Sequence, residues 1–515
     1  MDTNALLSAN NKIGEVFTPL IWATWLIQRW GVFDRWLNGV SVCDPTAGRG
    51  VFALALFDEA RRRNVKVTPE LLSRLRLIEI NSENLRYFRA AAEAEYGIRD
   101  LQSICLCCDV IIDTPSISFD ILVGNPPWAN FTELPTLYKE SLKSIFVAEG
   151  LVPDRKAVLL GSARTDIAAL VLKRVIGRML NSSGAGYFFV PLSLFSGDDA
   201  HRGFRDYKAN GQDFCVEEVL EFVTSKVFEG VGTSYACAHF TKAKKQVFPV
   251  PYYREVKGTW VLKYASPLKA SNDQWRITSD QDSQDNAYDN IDICLAPAQK
   301  PRQGINTCGA NSIFIFDDKP EFVPDIFLFP LVTKDLWKDI AVMPCKWILL
   351  PYDKQSCRPL NIAQIQSYAD LWKYLSAHKS ELECRKGTLI QSAVQKGIWW
   401  ALLGVGPYSF APYKVIWQAY GNSNFSPVIL GQHEGMEWQA NQAMQAFIPC
   451  WNLEDAQKIT AGLKNPRVAQ ILTELNGAGK CNWAQPGKIK KVISFDMEQY
   501  HQPLLLEDEK TNYQP

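Results

Sequence analysis

The segment Asn125-Pro126-Pro127-Trp128 carries the most specific chemistry in this sequence. Two successive prolines fix φ and remove two amide donors, so the turn exposes carbonyl oxygens instead of N–H groups. The Asn125 side-chain oxygen and the Pro126 carbonyl can both accept from one NH₂ group and localise its lone pair for nucleophilic attack. Trp128 supplies an aromatic face beside them. The segment predicts a pocket for a planar amino group; the plainer interpretation is a proline-stiffened turn with a packing Trp.

A glycine turn from Asp44 to Gly50 is the second candidate. Gly48 and Gly50 lack the side chains that would keep the backbone away from a ligand, and Asp44 offers a carboxylate to a cationic or amine group. This combination suits the zwitterionic amino-acid part of a cofactor. The spacing Gly48-x-Gly50-x-x-Ala53 also fits a dinucleotide fingerprint or a plain tight turn, so the turn alone leaves the ligand open.

Two further acids follow apolar strands. Glu79 closes one strand, where its carboxylate can accept hydrogen bonds from two ribose hydroxyls. Asp109 follows the next strand and can accept from the amino group of an adenine ring, with Val110 against that ring. A solvated acid at a strand end is the alternative interpretation of Glu79.

The elements that must position these residues form an alternating pattern. From residue 40 to about 240, short apolar runs alternate with helical periodicity, which is typical of a parallel sheet covered by helices on both faces. The clearest strands are predicted at residues 40–43, 75–79, 104–107, 121–124 and 186–190. Every candidate residue above follows the carboxyl end of such a strand, where open α/β sheets bind ligands.

Length and composition point to more than one domain. The 515 residues fit two or three units, and we place a boundary between residues 245 and 246, where Trp, Pro and Gly become frequent and periodicity weakens. Helical patterns return at residues 363–385 and 453–475, so the second half is predicted to mix α and β. Residues 279–290 are predicted to form an exposed loop.

Charge and cysteine usage exclude some classes. The 55 basic and 55 acidic residues balance, so any basic binding surface must be local. The 13 cysteines lack paired spacing, which argues against a secreted disulfide framework. Cys105, Cys107 and Cys108 look like half a zinc site without a second half, and no metal is expected. Without a signal peptide or a long apolar run, the expected localisation is cytoplasmic.

Taken together, the motifs resemble the N6-adenine DNA methyltransferases of the gamma class. Asp44 to Gly50, including Thr46, resembles their first cofactor motif, and Glu79, Asp109 and Asn125 to Trp128 resemble the three motifs that follow. The segment 14–19 is similar to their N-terminal motif, which implies that Thr18 and Pro19 contact the methionine end of the cofactor. The segment 164–170 is similar to their helix after the catalytic motif.

The resemblance implies a fold class, a cofactor and a partner. It implies an α/β, doubly wound Rossmann-like methyltransferase domain at 1–245 and a C-terminal mixed α+β target-recognition domain at 246–515. S-adenosyl-L-methionine is the implied cofactor, and it also binds at Val110 and Asn125. Double-stranded DNA is the implied partner, with its adenine flipped out of the helix and stacked on Trp128 and Phe228. Segments 303–309, 347–353 and 408–414 resemble pieces of such recognition domains.

Several alternatives stay open. The same acceptor chemistry serves methyltransferases that act on RNA adenine or on protein glutamine, and cytosine N4 is a further target. A catalytically inactive DNA-binding relative and a nicotinamide oxidoreductase are alternatives from other classes. Only a short leader precedes residue 14, so we expect a modification enzyme without its own nuclease domain, with a separately encoded restriction endonuclease as a candidate partner.

A basic stretch near the C-terminus is the candidate phosphate contact. It contains few acids and comprises Lys464, Arg467, Lys480, Lys488, Lys490 and Lys491. Lysines and arginines at this density suit the DNA backbone, although a solvated charged face has the same composition.

Overall fold

The computed structural model describes residues 16–152, 165–197, 199–279, 293–332, 344–420, 425–442, 445–476 and 483–495. The chain divides into two compact units, one ending at Asp285 and the other beginning at Asn286. Most of the loop predicted at 279–290, together with Arg164 and Lys480, lies outside the described residues. In the described part, no helix combines the length and the apolar character needed to cross a bilayer.

The first unit is built on one large mixed sheet. The sheet order is β11-β10-β9-β7-β8-β5-β4-β1-β2-β3, and β6 pairs with β7. The five strands β5, β4, β1, β2 and β3 are parallel neighbours, as predicted, and β8, antiparallel to β5, begins the extension. In chain order the strands are β1 (Val42–Asp44), β2 (Leu75–Glu79), β3 (Cys105–Cys107), β4 (Phe119–Gly124), β5 (Leu180–Pro191), β6 (Lys208–Ala209), β7 (Gln212–Phe222), β8 (Tyr235–Lys242), β9 (Val250–Val256), β10 (Thr259–Pro267) and β11 (Trp275–Thr278).

Helices cover both faces of this sheet. They are α1 (Leu20–Arg29), α2 (Val32–Leu37), α3 (Val51–Arg62), α4 (Pro69–Ser73), α5 (Ser82–Tyr96), α6 (Thr136–Ala148), α7 (Ile167–Met179) and α8 (Ser193–Ser196). Local signals set their ends: the Asn81 side chain accepts from the Glu83 amide at the start of α5, and Gly97 ends that helix at φ 68°. The predicted doubly wound Rossmann-like architecture is therefore present.

Alternation along the central strands divides the core into two layers. Ile121, Val123 and Phe189 pack under α1, α3 and α5, whereas Leu122 and Phe188 pack under α6 and α7. Successive residues of a strand point to opposite faces, so these continuous apolar runs fill both layers at once. The consequence is that the central strands of the sheet are buried on both sides.

The predicted boundary between residues 245 and 246 differs from the division of the structure. Strand β9 lies C-terminal to that boundary, yet it pairs in parallel with β7, and β10 and β11 continue the same sheet. Their hydrogen bonds place residues up to Thr278 in the first unit. The aromatic and proline content that suggested a new domain belongs to these edge strands.

The second unit mixes small sheets with helices, as predicted. Strand order β13-β23-β19-β20 forms one sheet and β14-β16-β15 another, and three two-stranded pairs accompany them. The strands are β12 (Cys294–Leu295), β13 (Arg302–Gln303), β14 (Ile315–Phe316), β15 (Leu328–Pro330), β16 (Trp347–Leu349), β17 (Tyr352–Asp353), β18 (Arg358–Pro359), β19 (Tyr413–Gln418), β20 (Val428–Leu430), β21 (Gln432–His433), β22 (Met436–Glu437), β23 (Gln445–Cys450) and β24 (Ser494–Phe495).

The helices of the second unit match both predicted helical stretches. They are α9 (Asn311–Phe314), α10 (Ile362–Gln366), α11 (Ala369–Ala377), α12 (Lys379–Glu383), α13 (Thr388–Gln395), α14 (Leu453–Leu463), α15 (Pro466–Asn476) and α16 (Pro486–Val492). Among the residues of this unit that the structure describes, Arg385 and Lys414 are buried cations. Arg385 donates to the carbonyls of Thr307 and Trp399, and Lys414 donates to those of Ser409 and Ala411, so each satisfies buried acceptors.

Candidate active site

The candidate residues converge at one edge of the large sheet. Neighbouring parallel strands β4, β1, β2 and β3 end at Gly124, Asp44, Glu79 and Cys107. Asn125 continues from the first of these ends and Asp109 follows the last. The structure thus brings together residues that are up to 81 positions apart in the sequence, as expected for a doubly wound sheet.

Asp44 is buried at the end of β1 and its carboxylate faces Gly124. A Cβ built on Gly124 would lie 3.0 Å from Asp44 Oδ1, and the Thr46 amide donates to the same oxygen at 3.2 Å. Burial raises the pKa of Asp44 well above its ordinary value; the Thr46 amide opposes this shift and the charge of Glu79 adds to it. A buried carboxylate in this position favours a cationic ligand group.

Glu79 fastens the glycine turn. Its Oε2 accepts from the Gly48 amide at 2.8 Å and its Oε1 from the Asn81 amide at 2.9 Å. Its Oε1 also accepts from the Asn84 side-chain amide at 3.4 Å, so both oxygens take part in holding the turn and the start of α5. Ribose binding by Glu79 stays a prediction, and the structure adds a role that the sequence analysis missed, namely holding residues 48 and 81 in place.

The two glycines of the turn have different surroundings. A Cβ on Gly48 would meet the Phe17 ring at 3.5 Å, an ordinary contact, whereas a Cβ on Gly50 would lie 2.3 Å from Cδ2 of Phe88. Both adopt the left-handed region, with φ of 52° and 70°. At residue 50 glycine is therefore demanded by the packing of α5 against the turn, and this reason differs from the cofactor approach predicted from sequence.

Asn125 is held by its amide and keeps its oxygen unpartnered. Its Nδ2 donates to the Val16 carbonyl at 3.0 Å, which fixes the orientation of the side chain. Asn125 Oδ1 is buried and accepts no hydrogen bond. A buried acceptor without a donor costs about 1–3 kcal/mol, so this oxygen is placed for a ligand that brings an N–H or O–H group.

The following residues are fastened to the start of α7. The Phe131 amide donates to the Thr165 carbonyl at 3.2 Å, and the Ile167 amide donates to the Ala129 carbonyl at 2.9 Å. Asp166 caps α7 by accepting from the Ala168 amide at 2.9 Å, and the Ala129 amide also bonds its carboxylate. The loop after Asn125-Pro126-Pro127-Trp128 is thereby tied down on its C-terminal side.

Trp128 and Phe228 lie together, and their stacking on a target base stays a prediction. Their rings meet edge to face, with centroids 4.9 Å apart and planes at 81°, and Phe228 also packs against Phe189 and Tyr235. Phe228 is only 3% exposed, whereas Trp128 is half-buried. The indole Nε1 of Trp128 is buried and has no partner. Trp128 is the more accessible of the two aromatic faces.

Asp109 has a partner that no sequence signal indicated. The hydroxyl of Tyr138 donates to its Oδ2 at 2.9 Å, and the Ile111 amide donates to its Oδ1 at 2.8 Å. Both residues are buried. Burial raises the pKa of Tyr138 above its ordinary value, and the negative charge of Asp109 raises it further. Tyr138 lies in α6 among residues of ordinary helical pattern, so only the structure reveals the contact. Val110 is also buried here.

The N-terminal segment crosses the glycine turn. Its Gly14 and Glu15 lie outside the described residues, while Thr18 is buried and Pro19 immediately precedes α1. The Arg49 guanidinium stands 4.6 Å from the ring centroid of Phe17 and 4.5 Å from that of Tyr87. These cation–π contacts hold the segment against the turn.

The donor set at this edge fits a cofactor that carries an ammonium or sulfonium cation and polar groups. Thr46 Oγ1 is buried without a hydrogen-bond partner, in the same turn as the buried carboxylate of Asp44. Asp44, Thr46, Gly48 and Glu79 can hold such a ligand beside Asn125. In the described part of the chain, no group of three His, Cys, Asp or Glu side chains has the arrangement of a metal site.

Comparisons with known proteins show the fold. No protein-family model and no curated protein matches the sequence. Among solved structures, the type IIL restriction-modification enzyme MmeI in complex with DNA is similar at 12% identity and a TM-score of 0.54, over 86% of this chain and 62% of that chain. The DrdV–DNA complex is similar at 12% identity and a TM-score of 0.46, over 85% of this chain and 49% of that chain. The type IIG restriction endonuclease BpuSI is similar at 11% identity and a TM-score of 0.38, over 91% of this chain and 57% of that chain. The chain thus spans less than two thirds of the length of these enzymes, and its fold is the Rossmann-like methyltransferase fold with an additional C-terminal unit.

Proposed function

We propose that this chain is a DNA methyltransferase that transfers a methyl group from S-adenosyl-L-methionine to the N6 amino group of adenine. The observation that carries the proposal is the buried, unpartnered Oδ1 of Asn125, whose side chain is oriented by the Val16 carbonyl. The likeness of the fold to MmeI, an enzyme solved with DNA, supports DNA as the substrate.

The cofactor would lie on Asp44, Thr46, Gly48 and Glu79, with Thr18 and Pro19 at its methionine end. When bound, S-adenosyl-L-methionine supplies an electrophilic methyl group on sulfur. The negative charge of Asp44, which burial makes costly, is then offset by the cationic part of the ligand. Asp109 and Val110 would border the adenine ring of the cofactor.

The chain's own contribution is acceptor placement. Asn125 Oδ1 and the Pro126 carbonyl accept from the substrate amino group, which concentrates its lone pair opposite the incoming methyl group. No side chain with the pKa of a general base is required, because holding the nitrogen and the methyl group in line contributes several kcal/mol. The N–C bond would form as the C–S bond of the bound cofactor breaks and a thioether leaves, and the methylated nitrogen would release one proton to solvent water.

The adenine must leave the duplex to reach Asn125. Extrusion costs a few kcal/mol, and a stacking contact of roughly 1–3 kcal/mol per base offsets it. Trp128 is the half-buried face available for that contact. We assign target recognition to the second unit and keep a separately encoded restriction endonuclease as a candidate partner.

One experiment separates the open substrates. The full chain is incubated with methyl-labelled S-adenosyl-L-methionine and, in parallel, duplex DNA, RNA and a glutamine-containing protein extract. We expect label on DNA only, recovered after digestion as N6-methyladenine. Label recovered as N4-methylcytosine, or on RNA or protein, would replace adenine in DNA as the target. If the chain binds duplex DNA but transfers no label to DNA, RNA or protein, it would be a catalytically inactive relative.

A further inference from the structure

A cluster of cations in the second unit is assembled from two distant segments. Lys300 and Arg302 lie at and before β13, and Lys490 lies on α16. The Tyr420 hydroxyl holds the two segments together, because it accepts from Gln303 Nε2 and, at 3.0 Å, from Gln485 Nε2. The linear stretch predicted from sequence contained only one of these three cations.

Further contacts fix the position of α16. The indole Nε1 of Trp417 on β19 donates to the Ala484 carbonyl at 2.7 Å, and the Ala484 amide donates to the Ala419 carbonyl at 3.2 Å. Ile489 and Val492 turn inward from the helix and are buried. Lys490, between them on the outer side, keeps part of its side chain exposed, and the charges of Arg302 and Lys300 act on it. The position of the helix that carries Lys490 is therefore set by the framework of the unit.

The charges in this cluster repel one another. Partial burial lowers the pKa of Lys490, and the positive charges of Arg302 and Lys300 lower it further. Among the described residues, no carboxylate pairs with Arg302 or Lys490, whereas Lys354 and Lys458 of the same unit are paired with Glu437 and Glu454. Arg302 and Lys490, two like charges without a carboxylate partner among the described residues, favour an anionic ligand.

Arg302 is arranged as a rigid donor. Its guanidinium stacks on the Tyr408 ring at 4.4 Å from the centroid, and its Nε is buried without a hydrogen-bond partner. A planar guanidinium held in this way keeps its N–H edges oriented and matches the two oxygens of a phosphate. Stacking also reduces the conformational freedom that the side chain loses when it binds.

We propose that Arg302 and Lys490, with Lys300 beside them, bind a backbone phosphate of duplex DNA. The inference rests on the proposed function and specifies which surface of the second unit meets the substrate. A phosphate contact fixes register and carries no sequence information, so this cluster would position the duplex while other residues of the unit read the bases. The same chemistry makes binding salt-dependent, because each neutralised phosphate releases counter-ions.

The test measures the affinity of the full chain for a duplex as a function of salt. Arg302→Gln and Lys490→Gln are each expected to lower the affinity several-fold at low salt, and the double variant reduces the slope of log K against log salt by about 1, the value for one phosphate. The loss of affinity is expected to be the same for duplexes with and without the sequence that the enzyme methylates, because a phosphate contact carries no sequence information. Lys458→Gln, which removes an exposed and paired lysine from α14, is the matched control and leaves the slope unchanged.

The outcomes separate the two proposals. If the wild-type chain shows no affinity for duplex DNA, the proposed function fails. If it binds and the double variant keeps both slope and affinity, the phosphate site is wrong while the proposed function stands. Lys490→Gln alone decides the question if Arg302→Gln does not fold, and a loss of affinity for RNA but not for DNA would assign the cluster to a different nucleic acid.

Discussion

The side-chain amide of Asn125 donates to the main-chain carbonyl of Val16 at 3.0 Å, and this bond leaves the Asn125 oxygen as a buried acceptor without a donor. The amide can therefore have only one orientation. A flipped side chain would set Oδ1 against the Val16 carbonyl, two acceptors without a proton between them. The N-terminal segment in this way determines which atom of Asn125 stays without a hydrogen-bond partner.

Asn125→Ala tests this acceptor directly. We expect methyl transfer to fall at least about a hundredfold, comparable to the loss of one preorganised polar group in an active site. Cofactor affinity, measured by calorimetry, changes little. Asn130→Ala is the control, because the Asn130 side chain makes only an exposed contact with Glu133. Full activity in Asn125→Ala would contradict the mechanism.

Glu79→Ala removes a carboxylate that both holds the glycine turn and is proposed to bind ribose. We expect the affinity for S-adenosyl-L-methionine to fall about tenfold or more, since hydrogen bonds to charged groups contribute roughly 1.5–3 kcal/mol. The exposed Glu83, bonded only to its own helix, provides the control as Glu83→Ala. Calorimetry of both variants decides the assignment, and unchanged affinity in Glu79→Ala would remove Glu79 from the cofactor site.

Gly50→Ala tests the packing origin of the glycine. The new methyl group would lie 2.3 Å from the Phe88 ring at φ 70°, and we expect a loss of about 2–4 kcal/mol in the free energy of unfolding. Gly97→Ala is a matched control, because φ is 68° there and nothing lies within 4 Å. It should lose only about 1 kcal/mol, the cost of the backbone strain. If urea denaturation gives equal losses in the free energy of unfolding for the two variants, the Phe88 ring moves to make room for the added methyl group.

Phe228 can be separated into a packing role and a stacking role. Phe228→Ala is expected to lower the free energy of unfolding by about 3 kcal/mol or more, because the ring is buried. Phe228→Leu preserves most of the volume and should cost under about 1.5 kcal/mol. If Phe228 stacks on the extruded base, the Leu variant also loses transfer activity roughly tenfold. Normal activity in Phe228→Leu would leave the ring with packing alone.

Asp166 makes stability depend on pH. Burial raises its pKa to about 7, the amides of Ala168 and Ala129 oppose the shift, and the charge of Glu133 adds to it. Between the ordinary value of about 4 and about 7, the folded chain holds a proton that the unfolded chain has released. The contribution of this group to stability therefore falls as pH rises through that interval.

Asp166→Asn removes the titration and retains an oxygen for the Ala168 amide. Relative to wild type, the variant should gain stability between pH 5 and pH 8, as measured by urea midpoints at both values. Asp325→Asn changes a carboxylate whose side chain is 78% exposed and serves as the control. If the urea midpoints of the wild type and of Asp166→Asn change in parallel between the two pH values, Asp166 does not titrate in this range.

The parallel part of the sheet could be predicted from sequence because its strands are continuous apolar runs that end in polar residues. Strands β2 and β4 fall within one or two residues of their expected positions. Strands β9 to β11 were missed, because β9 and β10 contain Pro, Tyr and Trp, a composition also found in loops, and most residues of β10 are exposed or half-buried without regular alternation. Their place in the sheet depends on pairing with β7, a contact that no local pattern records.

The site shows the same limit. Residue type and position after a strand predicted Asp44, Glu79, Asp109 and Asn125 at one edge. The partners that orient them were not predictable, since Tyr138 lies 29 residues from Asp109 and Val16 lies 109 residues from Asn125. Such contacts depend on how the elements pack, and a Tyr in a helix or a Val in an extended segment gives no sign of its role.

The loop that carries Asn125-Pro126-Pro127-Trp128 is fastened at its beginning to Val16, in its middle to residues 165–167, and beyond its end through Tyr138 to Asp109. Ordering a backbone residue costs roughly 1–2 kcal/mol of entropy. For this loop the loss occurs when the protein folds, before any substrate arrives. In the proposed transfer, the free energy released on contact with the target amine would then be available for extracting the base from its stack, because the acceptors that receive it are already in place.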